Sequence, residues 1–253
     1  MSEYPHFFLV GAQRSGTTYL YHALSEHPDI EMASPIRPEP KYFLAPNSLA
    51  LGVSHYEAAF FKGKAGAKIR GEKSTSYIES EAVAERIATA FPEARILISL
   101  RNPVERAISN YWFSVNNGKE RLPMEEAFWK EEERREQYDK TQISASPYAY
   151  LKRGLYLDYI QAYERYFPPE QITVVIFKRL MTAPQVALPE LYTALGVSPD
   201  FFPLSANRQI NDSERTSEQP LSLALQAHLK AYFADANARL GEYLQVDLAA
   251  YGW

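Results

Sequence analysis

Cysteine is absent from these 253 residues, which rules out a disulfide framework and any thiolate metal site. No uninterrupted apolar run approaches membrane-spanning length, so no stable membrane insertion is expected. The opening residues Met1-Ser2-Glu3-Tyr4-Pro5 lack the basic start and apolar stretch of a secretory signal, and a cytoplasmic location is the expectation. Basic charge is in slight deficit: 27 Lys and Arg against 31 Asp and Glu give a net charge of −4. That balance speaks against generic nucleic-acid binding while leaving room for a local basic pocket. What is present, 46% hydrophobic and 23% charged residues, suits one large α/β domain over residues 1–253.

Short apolar runs at Phe7–Gly11, Lys68–Gly71, Arg95–Leu100 and Ile172–Phe177 have the character of parallel strands buried on both faces. Helical spacing is expected over 17–26, 81–91, 103–115, 124–137, 155–167, 186–195 and 221–240. The third of these begins with Asn102 as N-cap, Pro103 at N1 and Glu105 at N3, close to a capping box. Alternation of this kind implies a three-layer α/β fold, with a central parallel sheet of about four to five strands flanked by helices. Two stretches stand apart: 30–66, which carries Pro35, Pro38, Pro40 and Pro46, and the polar segment 207–220. Long excursions inside a compact domain usually carry function or move. The charged run Glu131-Glu132-Glu133-Arg134-Arg135-Glu136 is expected to be a solvated helix face, with Glu131 and Arg135 at i,i+4 spacing.

The stretch Val10-Gly11-Ala12-Gln13-Arg14-Ser15-Gly16-Thr17-Thr18 carries the chemistry. A strand ends, a short polar loop follows, and a helix begins, which is the arrangement that aims backbone N–H groups at a phosphate. The spacing is that of a Walker A loop, except that Thr17 stands where nucleotide-hydrolysing proteins place lysine. The only cation in the loop is Arg14. Such a loop suits a nucleotide from which something other than the γ-phosphoryl group is transferred. A second strand ends in Ser99-Leu100-Arg101-Asn102, with Ser109 on the helix beyond. Arginine at a strand end and a hydroxyl on the next helix can grip one phosphate; equally, Arg101 can lie on the surface and Ser109 can be a small packing residue. A cation occupies the place where a magnesium-dependent phosphoryl transferase keeps an acid, so no metal is expected.

Taken together, 11–18 and 101–109 resemble the 5′-phosphosulfate loop and the 3′-phosphate motif of sulfotransferases that use 3′-phosphoadenosine 5′-phosphosulfate (PAPS). Gly71-Glu72-Lys73-Ser74-Thr75-Ser76-Tyr77 is similar to the E-K-S/T-x-x-Y segment of the heparan-sulfate-type branch, which contains N-deacetylase/N-sulfotransferases, 3-O-sulfotransferases and bacterial members. Arg153-Gly154-Leu155-Tyr156 resembles that branch's R-G-x-Y segment, and the ending through Asp247-Leu248 to Trp253 is also similar. The resemblance implies an enzyme with PAPS as co-substrate, 3′,5′-diphosphoadenosine (PAP) as product and no metal. It implies that Ser15, Gly16, Thr17 and Thr18 hold the 5′-phosphosulfate and that Arg14 stabilises charge on the bridging oxygen. Arg101 and Ser109 would hold the 3′-phosphate, and Glu72 would be the general base. From the residues alone, a structural ion pair is the favoured reading of Glu72 beside cations.

The chain departs from the family pattern at Arg37-Pro38-Glu39-Pro40-Lys41-Tyr42-Phe43, where Pro38 replaces an expected cation. Arg37, Lys41, Lys73, Arg153 and Tyr156 are the candidate acceptor contacts. The loop that closes over the nucleotide is expected within 207–220, with Arg215 or Arg208 touching phosphate. Tyr138, Tyr148, Tyr150, Tyr156 and Tyr159 offer aromatic surface to an acceptor or pack in the core. A small-molecule, lipid or saccharide acceptor fits the acidic chain better than a long polyanion. The rival readings are a P-loop kinase or nucleotidase and a non-catalytic nucleotide-binding module.

Overall fold

The structure, a computed structural model, describes residues 2–139, 143–207 and 221–253. Its strands are β1 (His6–Gly11), β2 (Ile30–Met32), β3 (Ile69–Lys73), β4 (Arg95–Leu100) and β5 (Ile172–Ile176). Its helices are α1 (Thr17–Glu26), α2 (Ser48–Leu51), α3 (Val53–Phe60), α4 (Glu81–Ala90), α5 (Pro103–Asn116), α6 (Met124–Trp129), α7 (Glu131–Arg134), α8 (Tyr156–Glu164), α9 (Phe177–Thr182), α10 (Pro184–Ala194) and α11 (Leu223–Leu244). The described residues divide into two units, one within 1–100 and 160–211, the other within 101–159 and 212–253.

The first unit holds a five-stranded, wholly parallel sheet in the order β2-β3-β1-β4-β5. Period-two alternation along β1 sorts its side chains. Phe7 and Leu9 join a core with Tyr19 and Leu20 of α1 and Leu188, Leu191 and Tyr192 of α10. Phe8 and His6 face the other way into an aromatic cluster with Phe43, Tyr56 of α3 and Phe91. Helices therefore cover both faces, as the apolar strands require. β1 and β4 are neighbours whose connections depart in opposite directions across the sheet, the crevice where open α/β sheets bind ligands. Their register slips between Leu9 and Gly11, a bulge that bends the end of β1 into its loop.

The strand β2 was not expected; at three residues it is too short to show a period, and it opens the proline-bearing excursion. Within that same excursion α3 forms, bringing Tyr56 to the sheet. β3 also runs two residues further than its apolar run, so that Glu72 and Lys73 are strand residues rather than loop residues.

In the second unit α5 starts as expected. The Asn102 side chain accepts from the backbone N–H groups of Val104 (2.9 Å) and Glu105 (3.3 Å). Ala107 and Tyr111 of α5 pack with Phe128, Tyr150, Leu225, Leu229 and Phe233. Gly154 has Pro103 and Phe233 so close that a Cβ would sit 2.8 and 2.7 Å from them, which accounts for glycine in that segment.

One expectation is overturned here. The helix expected over 124–137 is broken at Lys130, and Glu131 is 4% exposed rather than solvated. Its carboxylate accepts from the backbone N–H groups of Leu151 and of Lys152 (2.9 Å), and burial pushes its pKa up. Glu131→Ala would strand two N–H groups and should cost about 2 kcal/mol in urea unfolding. A loss within about 0.5 kcal/mol would be that of a solvated side chain.

Candidate active site

The loop after β1 is shaped by two left-handed residues, Arg14 (φ 67°) and Gly16 (φ 76°). At Gly16 a side chain is excluded twice, by this φ and by the Phe177 ring, which would lie 2.1 Å from a Cβ. β4 anchors the loop: Ala12 N–H donates to Ser99 O (2.9 Å) and Ser99 Oγ donates to Ser15 O (2.6 Å). α1 then begins at Thr17 with no side-chain cap and no acidic residue in its first turn. An uncapped N-terminus carries unmet N–H groups and the positive end of the helix dipole, so Gly16, Thr17 and Thr18 are placed to hold an anion. The Ser15 N–H donates to Ala12 O (3.2 Å) and is already engaged. Its hydroxyl is buried with no partner.

On β3, Glu72 is in register with Phe8 of β1 and 1% exposed. Ser74 Oγ donates to its Oε1 (2.6 Å), and its Oε2 is buried without a hydrogen-bond partner. Among the described residues, no cation lies within ion-pair distance of Glu72, although Arg70 and Lys73 on the same strand are both paired with other carboxylates. Among the described residues, the alternative of a structural ion pair at Glu72 is therefore not realised. Burial raises its pKa from 4.5 to about 7, partly opposed by Ser74 and by the hydroxyls of Tyr77 and Tyr56. A carboxylate with that pKa is matched to taking a proton near neutrality.

Lys73 is buried and pairs with Glu39 (2.6 Å), whose carboxylate also accepts from Thr75 N–H (3.0 Å) and Thr75 Oγ1 (3.1 Å). Lys41 has a positive φ of 51°, and its N–H donates to Ser74 Oγ (2.9 Å). Phe43 N–H donates to the Tyr77 hydroxyl (2.9 Å). The segment around Arg37–Phe43 is thus fastened to residues 73–77, with Arg37 exposed. These links were not foreseen, nor was the role of Ser99, though a lone hydroxyl in Ile96-Leu97-Ile98-Ser99-Leu100 was the available signal.

In the second unit, Arg101 directly follows β4 and is half-buried, its Nε donating to Glu105 (3.0 Å). Ser109 is 8% exposed on α5. Two of the candidate acceptor contacts are corrected. Arg153 is 1% exposed and donates to Asn110 Oδ1 (2.8 Å) and Ser146 O (2.8 Å). Tyr156 is 1% exposed and its hydroxyl donates to Arg101 O (2.7 Å). Both spend their polar atoms inside the protein, whereas Glu72 keeps one oxygen unmet. Tyr150 is likewise internal, donating to Glu120 (2.7 Å). Arg208 and Arg215 lie outside the described residues.

A carboxyl whose pKa is raised on folding binds more protons in the folded state between the two values, so stability falls as pH rises from about 4.5 to about 7 and then levels off. Glu72→Gln removes that penalty. Its melting temperature should exceed that of the parent at pH 8, with a smaller gap at pH 5; a lower melting temperature at pH 8 would mean a carboxylate stabilised by a partner.

Comparison with known proteins places these residues in context. The family model described as "Sulfotransferase domain" matches residues 4–220. A sulfotransferase from Alicyclobacillus acidocaldarius is 32% identical, with a TM-score of 0.81 over 100% of both chains. The bifunctional heparan sulfate N-deacetylase/N-sulfotransferase 2 of Bos taurus is 29% identical over 77% of this chain and 22% of its own length. The heparan sulfate glucosamine 3-O-sulfotransferase 5 of Mus musculus is 30% identical over 76% of this chain and 52% of its own length. The chain thus spans about a fifth to a half of the curated relatives it matches. With the uncapped loop, the parallel sheet and a family match over 4–220 in agreement, the chain belongs to the sulfotransferase family.

Proposed function

We propose that residues 1–253 act as a single sulfotransferase domain that moves a sulfuryl group from PAPS to a hydroxyl or amine. The acceptor oxygen or nitrogen attacks sulfur in line and forms the new bond. The bond from sulfur to the bridging oxygen breaks, PAP leaves, and Glu72 takes the acceptor's proton. The amides of Gly16, Thr17 and Thr18 and the Arg14 side chain stabilise charge on the departing phosphate, an electrostatic contribution fixed before the reaction. Arg101 and Ser109 hold the 3′-phosphate. The observation that carries this assignment is the buried Glu72 carboxylate with one unmet oxygen and a pKa of about 7, on the strand paired with β1.

The acceptor is a small molecule, lipid or saccharide; the names of the curated relatives, which refer to heparan sulfate, favour a saccharide. The charge of −4 favours a short or weakly charged one.

Glu72→Gln should lower kcat by roughly 10²–10⁴ while PAP still binds by calorimetry; unchanged turnover removes Glu72 from the role. Arg101→Ala should weaken PAP but leave adenosine 5′-phosphosulfate, which has no 3′-phosphate, close to its original affinity. Equal loss for both would place Arg101 elsewhere.

A further inference from the structure

The segment Arg153-Gly154-Leu155-Tyr156 spends its polar side chains inside the second unit, and there it meets the stretch 101–110 at three points. At one end the Tyr156 hydroxyl donates to Arg101 O (2.7 Å). In the middle Gly154 lies against Pro103, the first residue of α5, so closely that an added Cβ would stand 2.8 Å from it. At the other end Arg153 donates to Asn110 Oδ1 (2.8 Å), and Asn110 is the residue after Ser109. The Tyr156 ring is itself backed by Trp253, with ring centres 5.7 Å apart. Trp253 is held in turn by its backbone N–H, which donates to Leu248 O (3.3 Å).

Arg101 stands where the chain has left β4 and not yet entered α5, so neither ladder nor helix fixes its carbonyl. Tyr156 supplies a bond at that junction. The Arg101 side chain donates through Nε to Glu105 (3.0 Å), and among the described residues its guanidinium makes no other hydrogen bond. Its two Nη groups are therefore left for an anion. A grip of that kind tolerates a misplacement of only about 0.5 Å, so the main chain beneath the guanidinium has to be held. We propose that Tyr156, backed by Trp253, is the positioning residue of Arg101, and that the 153–156 segment sets the spacing between Arg101 and Ser109 at which a 3′-phosphate is held. The assignment rests on Arg101 binding that phosphate and is independent of which group takes the acceptor's proton. It turns a segment expected to touch the acceptor into one that serves the nucleotide.

The test is calorimetric titration of the full chain with PAP and with adenosine 5′-monophosphate, the same nucleotide without its 3′-phosphate. Tyr156→Phe keeps the ring and deletes the hydroxyl. It should weaken PAP about fivefold and leave the monophosphate within about twofold. Arg101→Ala should show the same selectivity with a larger loss. Adding Tyr156→Phe to Arg101→Ala should then cost PAP less than about twofold more, because the phenol acts through the arginine. If Tyr156→Phe fails to fold, Trp253→Ala, which removes the ring behind the phenol, should weaken PAP about threefold with the monophosphate again unmoved. A merely structural role would weaken both nucleotides alike. Equal losses for the two, an unchanged PAP affinity, or a further loss beyond about twofold on the Arg101→Ala background overturns the assignment. The two assignments fail separately: PAP affinity kept by Arg101→Ala removes Arg101 from the 3′-phosphate, whereas a PAP-selective loss there with none in Tyr156→Phe removes Tyr156 alone.

Discussion

Ser99 is a single hydroxyl in an apolar strand, and the loop after β1 depends on it. Its carbonyl receives Ala12 N–H and its side chain grips Ser15 O at 2.6 Å. These bonds join β4 to both halves of a turn in which Arg14 and Gly16 hold left-handed conformations. Left-handed arginine costs of order 1 kcal/mol or more, a cost that the buried bonds from the neighbouring strand offset. The helix that follows keeps its first N–H groups uncapped because the chain arrives at Thr17 through a glycine, which has no side chain to offer. Such an end suits an anion.

Glu72 is built on the opposite principle. The loop carries unmet donors and a cation, whereas the carboxylate is buried without a cation among the described residues, with the Ser74 hydroxyl on Oε1 and the phenols of Tyr77 and Tyr56 beside it. Nearby cations on β3 are diverted, Arg70 to Glu31 and Glu57 and Lys73 to Glu39. An ion pair at Glu72 would have lowered its pKa. The acids Glu31, Glu39 and Glu57 thus occupy the cations of β3.

Much of this was legible in the sequence. Gly16 followed by two threonines, the apolar runs of β1, β4 and β5, and Asn102-Pro103 at the head of α5 each have a local physical cause, and each took the form expected. What escaped was set by distant partners. β2 exists because β3 pairs with it, not because Ile30–Met32 has a period of its own. Glu131 looked solvated because its run is charged, yet two N–H groups some twenty residues later draw it inside. Arg153 and Tyr156 sit in a recognisable segment, but no spacing rule shows that Asn110, Ser146 and Arg101 consume their polar atoms. Ser74 lay within a recognised motif, but no spacing rule shows that its hydroxyl meets Glu72.

Asn102 has a consequence for which substitutions its position can tolerate. Its amide oxygen starts α5 by accepting from Val104 and Glu105, while its amide nitrogen donates to Gly252 O. Aspartate and serine would serve the first purpose, aspartate having no proton for the second when ionised and serine being too short to span both. Only a side chain carrying an acceptor and a donor on one planar group meets both demands, so the usual interchange among helix-capping residues is closed at this position.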